Sequence, residues 1–331
     1  MVLGLDTELL TRSIAAFATA AIGFRAGAAY AVIDQPRLPP IKGTALHEAV
    51  GVRYARCAGA RVKIFYPARI SSESQPPAPY CTDGRRTSDG MAGLVGFRQL
   101  GLSFLLEHLA SAASGCQLDA PAAVIPAEDR LPVLVYSHGF GGNFDMATYM
   151  FRAFAAQGIV VAAVEHTDGT ASFTECADGE PQPFAPLMLS RKEQLNKRAA
   201  ELLAAAKPDA LGLPDGLVAD GAVCLGGHSF GGPSALLAAA AAPDGLCAVL
   251  LHDPALGMGE DLWAIRRAAS RQDVPTLSYV SDEYDRYGVR CGEATLHTLG
   301  GFHGNFVDAY GAHVLEPARE IQREPPGGIS I

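Results

Sequence analysis

Apolar and polar positions along this chain fall into blocks of two kinds. Leu131–Ser137, Ile159–Glu165, Gly221–Gly226, Leu246–His252, Pro275–Ser281 and Ala294–Leu299 are short apolar runs bounded by Gly, Pro or Asp, as strands buried on both faces should be. Between them, apolar residues recur with helical spacing through Phe144–Gln157, Leu189–Ala206 and Gly232–Ala242. This alternation predicts an α/β fold with a mainly parallel central sheet and helices on both faces. Earlier, Arg61–Pro67 alternates polar and apolar side chains and predicts a half-exposed strand closed by proline. A proline-rich stretch, Pro36–Pro40, separates an N-terminal segment (1–40) from a main domain over 41–331.

One junction between blocks carries chemistry. Gly227-His228-Ser229-Phe230-Gly231 follows an apolar strand and precedes an alanine-rich helix. In that setting a serine between two glycines reads as a nucleophile elbow, a tight strand-to-helix turn that lifts the hydroxyl clear of the sheet. The bland alternative is a glycine-rich turn that happens to hold a serine.

Composition narrows the setting. Of 331 residues, 49% are hydrophobic and 18% charged, which supplies a large buried sheet and excludes a disordered chain. A formal charge of −9 without clustered Lys and Arg argues against nucleic acid or anionic membranes as electrostatic partners. The seven cysteines are odd in number, widely spaced and free of C-x-x-C pairs; they indicate neither a disulfide scaffold nor a zinc site and read as reduced, structural thiols. No metal or cofactor is implied. At the N-terminus, Ile14–Phe24 has the length of a signal-peptide core, but Asp6 and Glu8 precede it where basic residues belong. A cleaved signal, a transit peptide and a surface or membrane-contacting helix all remain open there, and Arg25 argues against a membrane span. The expected location is cytoplasmic or at a membrane surface.

A serine hydroxyl attacks at neutral pH only when a base takes its proton, so the elbow demands a histidine and a carboxylate to orient it. Among the histidines after Ser229, His303 follows the last central strand in a glycine-rich loop, Gly300-Gly301-Phe302-His303-Gly304; His297 is the next candidate. Two carboxylates end strands after the elbow, Asp253 and Asp282, and spacing does not separate them. A tetrahedral intermediate also needs preorganised amide donors. The loop His138-Gly139-Phe140-Gly141-Gly142 follows a strand where one donor belongs, so the N–H groups of Phe140 and Phe230 are the candidates. His138, Glu165, His166 and Asp168 stand at other strand ends, either as structural hydrogen bonders or as residues lining the site. Phe97, Leu102, Phe104, Leu105 and Leu106, within Tyr80–Leu109, fit a core helix better than a lipid-facing wall.

In combination, Ser137-His138-Gly139-Phe140-Gly141, Ile159 through His166, Gly227 through Gly232 and Phe302-His303-Gly304-Asn305-Phe306 resemble the platelet-activating-factor acetylhydrolase family. Leu46-His47 and Phe65-Tyr66-Pro67 are similar too, so the likeness covers roughly residues 44 to 310. It implies an α/β-hydrolase fold and a calcium-independent serine esterase removing short or oxidised acyl chains from the sn-2 position of phospholipids. It further implies that Asp253 is the acid, and that the chain meets its lipid ester at a membrane or lipoprotein surface. The family's Glu-His-Arg-Asp run reads Glu165-His166-Thr167-Asp168 here, and His252-Asp253-Pro254 stands where the family is more apolar. Cutinase-like and chlorophyllase-like esterases share much of this motif set, and a catalytically silent hydrolase-fold binding protein is the alternative of another class.

Overall fold

The computed structural model describes residues 45–69, 75–242, 245–256, 274–285, 291–292, 294–308 and the backbone of 320–323. The expectations for residues 1–40 and for Pro36–Pro40 lie outside these. The strands are β1 Ala49–Cys57, β2 Ala60–Ala68, β3 Pro77–Pro79, β4 Ala113–Leu118, β5 Leu131–Ser137, β6 Val160–Glu165, β7 Phe173–Glu175, β8 Pro181–Pro183, β9 Val218–His228, β10 Leu246–His252, β11 Thr276–Ser281, β12 Ala294–Leu299 and β13 Glu320–Arg323. The helices are α1 Arg85–Leu94, α2 Thr148–Ala156, α3 Arg191–Ala205, α4 Gly231–Ala241 and the single turn α5 Asp282–Asp285.

Eleven strands form one sheet in the order β13-β12-β11-β10-β9-β5-β6-β2-β1-β4-β3, and β7 and β8 pair apart from it. From β6 through β5, β9, β10 and β11 to β12 every pairing is parallel. The central strands alternate their side chains between two cores, as the period of two requires. Val133, Val135, Val160, Ala162 and Val164 join Leu195 and Leu202 of α3 and Leu236 of α4 on one face. Leu134, Tyr136, Val161 and Ala163 join Phe151 and Ala155 of α2 on the other. A sheet buried on both sides has its polar backbone satisfied along the ladder, leaving the strand ends as the place for chemistry.

Two expectations fail here, for one reason. The strand predicted to be half exposed, β2, is covered on both faces, with Val62, Ile64, Phe65 and even Lys63 fully buried. Its neighbours β1 and β6 are both antiparallel to it and place it inside the sheet rather than at an edge. Its alternating polar residues are satisfied internally. Lys63 Nζ lies 2.6 Å from the buried Asp145 carboxylate and donates to the carbonyls of Pro79 and Tyr80. Burial would push the Lys63 ammonium down, but Asp145 outweighs it and holds it above its ordinary value. That pairing also shortens the helix predicted from Phe144. Asn143 Oδ1 accepts from Asp145 N–H, and Thr148 Oγ1 donates to the Asp145 carbonyl, so the chain turns before α2 begins. Asp145→Ala would leave a buried, uncompensated ammonium. It is expected to cost about 3–5 kcal/mol of stability, measured as a lowered urea midpoint.

The Tyr80–Leu109 region is not a core helix. Helix α1 is followed by 3-10 turns at Ser103–Leu105 and Glu107–Ser111. Phe97, Leu102, Phe104, Leu105 and Leu106 are half buried and Leu100 is exposed. Gly96 and Gly101, both with positive φ, break the apolar run before a longer helix can form.

Candidate active site

Ser229 sits in the turn between β9 and α4 with φ of 54°, a left-handed conformation that a non-glycine residue holds only when its surroundings impose it. They do so through the neighbouring strand. Ser229 N–H donates to the His252 carbonyl at 2.9 Å, and the Ser229 carbonyl accepts from Gly232 and Ala255. The turn is also pressed against β5: a Cβ on Gly231 would stand 2.1 Å from the Ser137 carbonyl oxygen, which leaves room for glycine alone.

Asp253 ends β10 in the same strained way, with φ of 43°. Its carboxylate is fully buried. Oδ1 accepts from Ser281 N–H at 2.7 Å, and Oδ2 accepts from Ser281 Oγ at 2.6 Å and faces His303 Nδ1 at 3.1 Å. A carboxylate acts here only as acceptor, so Nδ1 carries the proton and Nε2 is left to accept one. The other carboxylate, Asp282, goes elsewhere. Its Oδ1 lies 2.8 Å from His297 Nε2, its side chain is 46% exposed, and neither residue lines the cavity that holds Ser229. The two histidines that the sequence left in competition are therefore each held by a different carboxylate.

The His303 imidazole lies between two rings, and its backbone is held as well. His228, from the elbow, lies with its ring centroid 4.4 Å away, and Tyr284 stacks on it at 4.5 Å with the planes 7° apart. His228 Nε2 donates to the His303 carbonyl at 3.1 Å, and Glu283 accepts from the His303 N–H at 2.9 Å. Burial, with His303 beside it, pushes His228 well below its ordinary value. It therefore adds no positive charge beside the His303 imidazole. Glu283 and Tyr284 stand in the short run Asp282–Asp285, where nothing local in the sequence marks them as partners of His303.

Ser229 and His303 line one cavity of about 280 Å³ with Leu94, Phe144, Met146, Phe151, Phe302 and Val307. Among the described residues no hydrogen bond of Ser229 Oγ joins it to His303, whose Nδ1 faces Asp253. The loop after β5 forms the opposite rim. Gly139 comes so near that a Cβ on it would stand 3.1 Å from Ser229 Cβ. Phe140 lines the cavity. Phe230 does not line it; it caps the start of α4 with its ring 6.0 Å from that of Phe140.

Behind this rim lies a buried polar network. His138 lines the cavity, but Glu165, His166 and Asp168 do not; they are buried hydrogen bonders. Glu165 accepts from Arg61 and Thr174, away from the serine. His166 bridges Ser137 Oγ (2.8 Å) and Glu201 (2.7 Å). Asp168 accepts from Arg198 Nε at 2.7 Å and from Thr170. Burial would raise Asp168, but the Arg198 guanidinium outweighs it and holds the carboxyl well below the usual range. Arg198 also donates to the His138 carbonyl at 2.6 Å, which fixes the peptide that opens the Gly139–Phe140 loop. This arginine, and Glu201 beside it, were missed. Their signal was present: Gln194, Arg198, Glu201 and Ala205 recur at helical spacing with Leu195 and Leu202 on the buried side of α3. A guanidinium thus reaches Asp168 from α3, although the Glu165–Asp168 run itself has threonine in place of arginine.

Comparison with known proteins gives the same frame. A ferulic acid esterase from Streptomyces cinnamoneus superposes with a TM-score of 0.61 at 20% identity, covering 82% of this chain and 79% of that one. The fold is that of the α/β-hydrolases. Platelet-activating factor acetylhydrolase of Gallus gallus is 30% identical over 129 residues, 38% of this chain and 29% of that protein's length. The family model described as platelet-activating factor acetylhydrolase, isoform II, matches residues 34–207, a stretch that includes the loop at Gly139 and ends before Ser229. Since that stretch is just over half of the sequence and carries the strand, loop and buried network that frame the serine, the chain belongs to the platelet-activating factor acetylhydrolase, isoform II, family.

Proposed function

We propose that this protein is a serine esterase that hydrolyses short or oxidised acyl esters of phospholipids by acylation and deacylation. The observation that carries the reading is a strained elbow serine sharing one apolar cavity with a histidine whose Nδ1 faces a buried aspartate. Ser229 Oγ attacks the ester carbonyl while His303 Nε2 takes its proton, and Asp253 stabilises the imidazolium. The oxygen of the tetrahedral intermediate takes hydrogen bonds from the amides of Phe140 and Phe230. His303 returns the proton to the departing alcohol, and water repeats the sequence on the acyl-enzyme.

The cavity wall supports an acyl chain as occupant, because most of its lining side chains, among them Leu94, Phe144, Met146, Phe151 and Val307, are aliphatic or aromatic. Family membership supports the phospholipid ester, and the exposed ring of Phe140, which lines the cavity and meets that of Phe184, supports access from a lipid surface. The test is a panel of acetyl, long-chain and phospholipid esters with chelator present. Preferential release of short sn-2 acyl groups supports the reading; preference for simple soluble esters would replace it by a general carboxylesterase. Absence of labelling at Ser229 by a fluorophosphonate would return it to a non-catalytic binding protein.

Tyr284→Ala removes one face of the imidazole clamp. It is expected to lower kcat about tenfold with little change in KM, in line with the worth of a stacked aromatic pair, while Tyr284→Phe retains most activity.

A further inference from the structure

Cys57, Cys81, Cys116 and Cys291 are buried, and burial pushes their thiols up, to about 11 for Cys116 and about 12 for Cys291. Cys224 and Cys247 differ. They lie 23 residues apart in sequence on the neighbouring strands β9 and β10, and their sulfurs are 2.7 Å apart. Two nonbonded sulfurs do not rest that close; the separation is nearer to a disulfide bond of about 2.05 Å.

The two meet at a backbone irregularity. In the β9–β10 ladder Leu246 pairs with Val223 and Ala248 with Cys224, so Cys247 is an extra residue without a partner. Continued from the Leu246–Val223 pair, the ladder would set Cys247 directly opposite Cys224; the bulge leaves Cys247 out of the pairing while its sulfur stays beside that of Cys224. Cys247 is exposed and Cys224 half buried, and the Cys247 thiol also donates to the Val223 carbonyl at 3.1 Å.

We propose that Cys224 and Cys247 are a redox modification site, a thiol pair that a small-molecule disulfide converts to an intramolecular disulfide joining β9 to β10. The exposed Cys247 thiolate attacks the small disulfide, forming a mixed disulfide and expelling one thiolate. Cys224 then loses its proton and attacks the Cys247 sulfur, expelling the second. Two protein thiols are oxidised and one small disulfide is reduced to two thiols, so electrons and atoms balance. Burial and the neighbouring Cys247 push the Cys224 thiol up to about 12, which makes it the resolving partner rather than the first to react.

The bond would tie together the strand that delivers Ser229 and the strand that delivers Asp253, at a distance from both. Cys224 precedes Ser229 by five residues of strand, roughly 16 Å at about 3.3 Å per residue. Oxidation should therefore stabilise the sheet and leave the site's geometry alone. Closing a loop of this length gives an expected rise in Tm of about 5 °C or more.

The full chain is incubated under native conditions with oxidised glutathione, acid-quenched, alkylated and read by intact mass and peptide mapping. The expected result is a loss of about 2 Da, a peptide joining Cys224 to Cys247, a raised Tm and reversal of both by dithiothreitol. Cys247→Ser, at an exposed position, should fold normally and abolish the link and the Tm shift together; Cys224→Ser should do the same and leave Cys247 as a stable mixed disulfide. Two fully alkylatable thiols after oxidation, a persistent mixed disulfide on the unsubstituted protein, or a link between two chains would each overturn the proposal.

Discussion

Replacing Ser229 with alanine is expected to lower ester hydrolysis by about 10⁵–10⁶-fold, to a residue set by whatever the amide donors and the cavity contribute without a nucleophile. The expectation follows from where the strain sits. The chain holds Ser229 at φ of 54° through hydrogen bonds to β10 and the contact of Gly231 with β5. None of these uses the hydroxyl, so alanine keeps the turn and removes only the attacking oxygen. Far-UV circular dichroism and Tm should stay close to those of the unsubstituted protein, and the mass increment from a fluorophosphonate should disappear. Retention of more than a few per cent of activity by Ser229→Ala would remove the serine mechanism.

Asp253→Asn should cost about 10⁴-fold in kcat with an intact fold, whereas Asp282→Asn should stay within a few-fold. In the native site the Asp253 carboxylate accepts three hydrogen bonds, two from Ser281 and one from the His303 imidazole. An amide has one accepting oxygen, so it cannot serve Ser281 and His303 alike, and presenting its NH₂ to the ring favours the tautomer with the proton on the wrong nitrogen. Asp282 faces His297 and the Gly300 N–H instead. Its loss would disturb the turn before His303 without touching the imidazole. The opposite ranking of the two variants would assign the acid to Asp282, the position that strand spacing alone left equally open.

Ser229 was placed by the sequence and the choice between Asp253 and Asp282 was not, and the reason is geometric. The elbow is a local motif: strand, Gly227-His228-Ser229-Phe230-Gly231 and alanine-rich helix are contiguous, and turn chemistry is written in adjacent residues. His303 was legible because a glycine-rich loop after the last central strand is also a local signal. Choosing between Asp253 and Asp282 required knowing which strand end lies beneath that loop, a relation across 50 residues. Arg198, Glu201 and Tyr284 were missed for the same reason, since each acts on a loop or ring that another element supplies.

The fold divides along similar lines. Leu131–Ser137, Leu246–His252 and Ala294–Leu299 were readable to the residue, because each is a short run rich in apolar or β-branched residues that stops at or near a Gly, Pro or Asp. In β2 the same reasoning misled, since Lys63 marks a solvent face in the sequence and an internal ion pair in the molecule.

By itself the sequence determined the α/β alternation, the doubly covered central strands, the elbow that presents Ser229 and the loop that carries His303. Only the tertiary structure decided which carboxylate faces His303, what flanks the imidazole, how α3 braces the Gly139 loop, and that Cys247, at a bulge, sits beside Cys224. The first set depends on propensity, periodicity and turn chemistry within a few residues. The second depends on distances between elements remote in sequence, which arise only when the sheet is assembled.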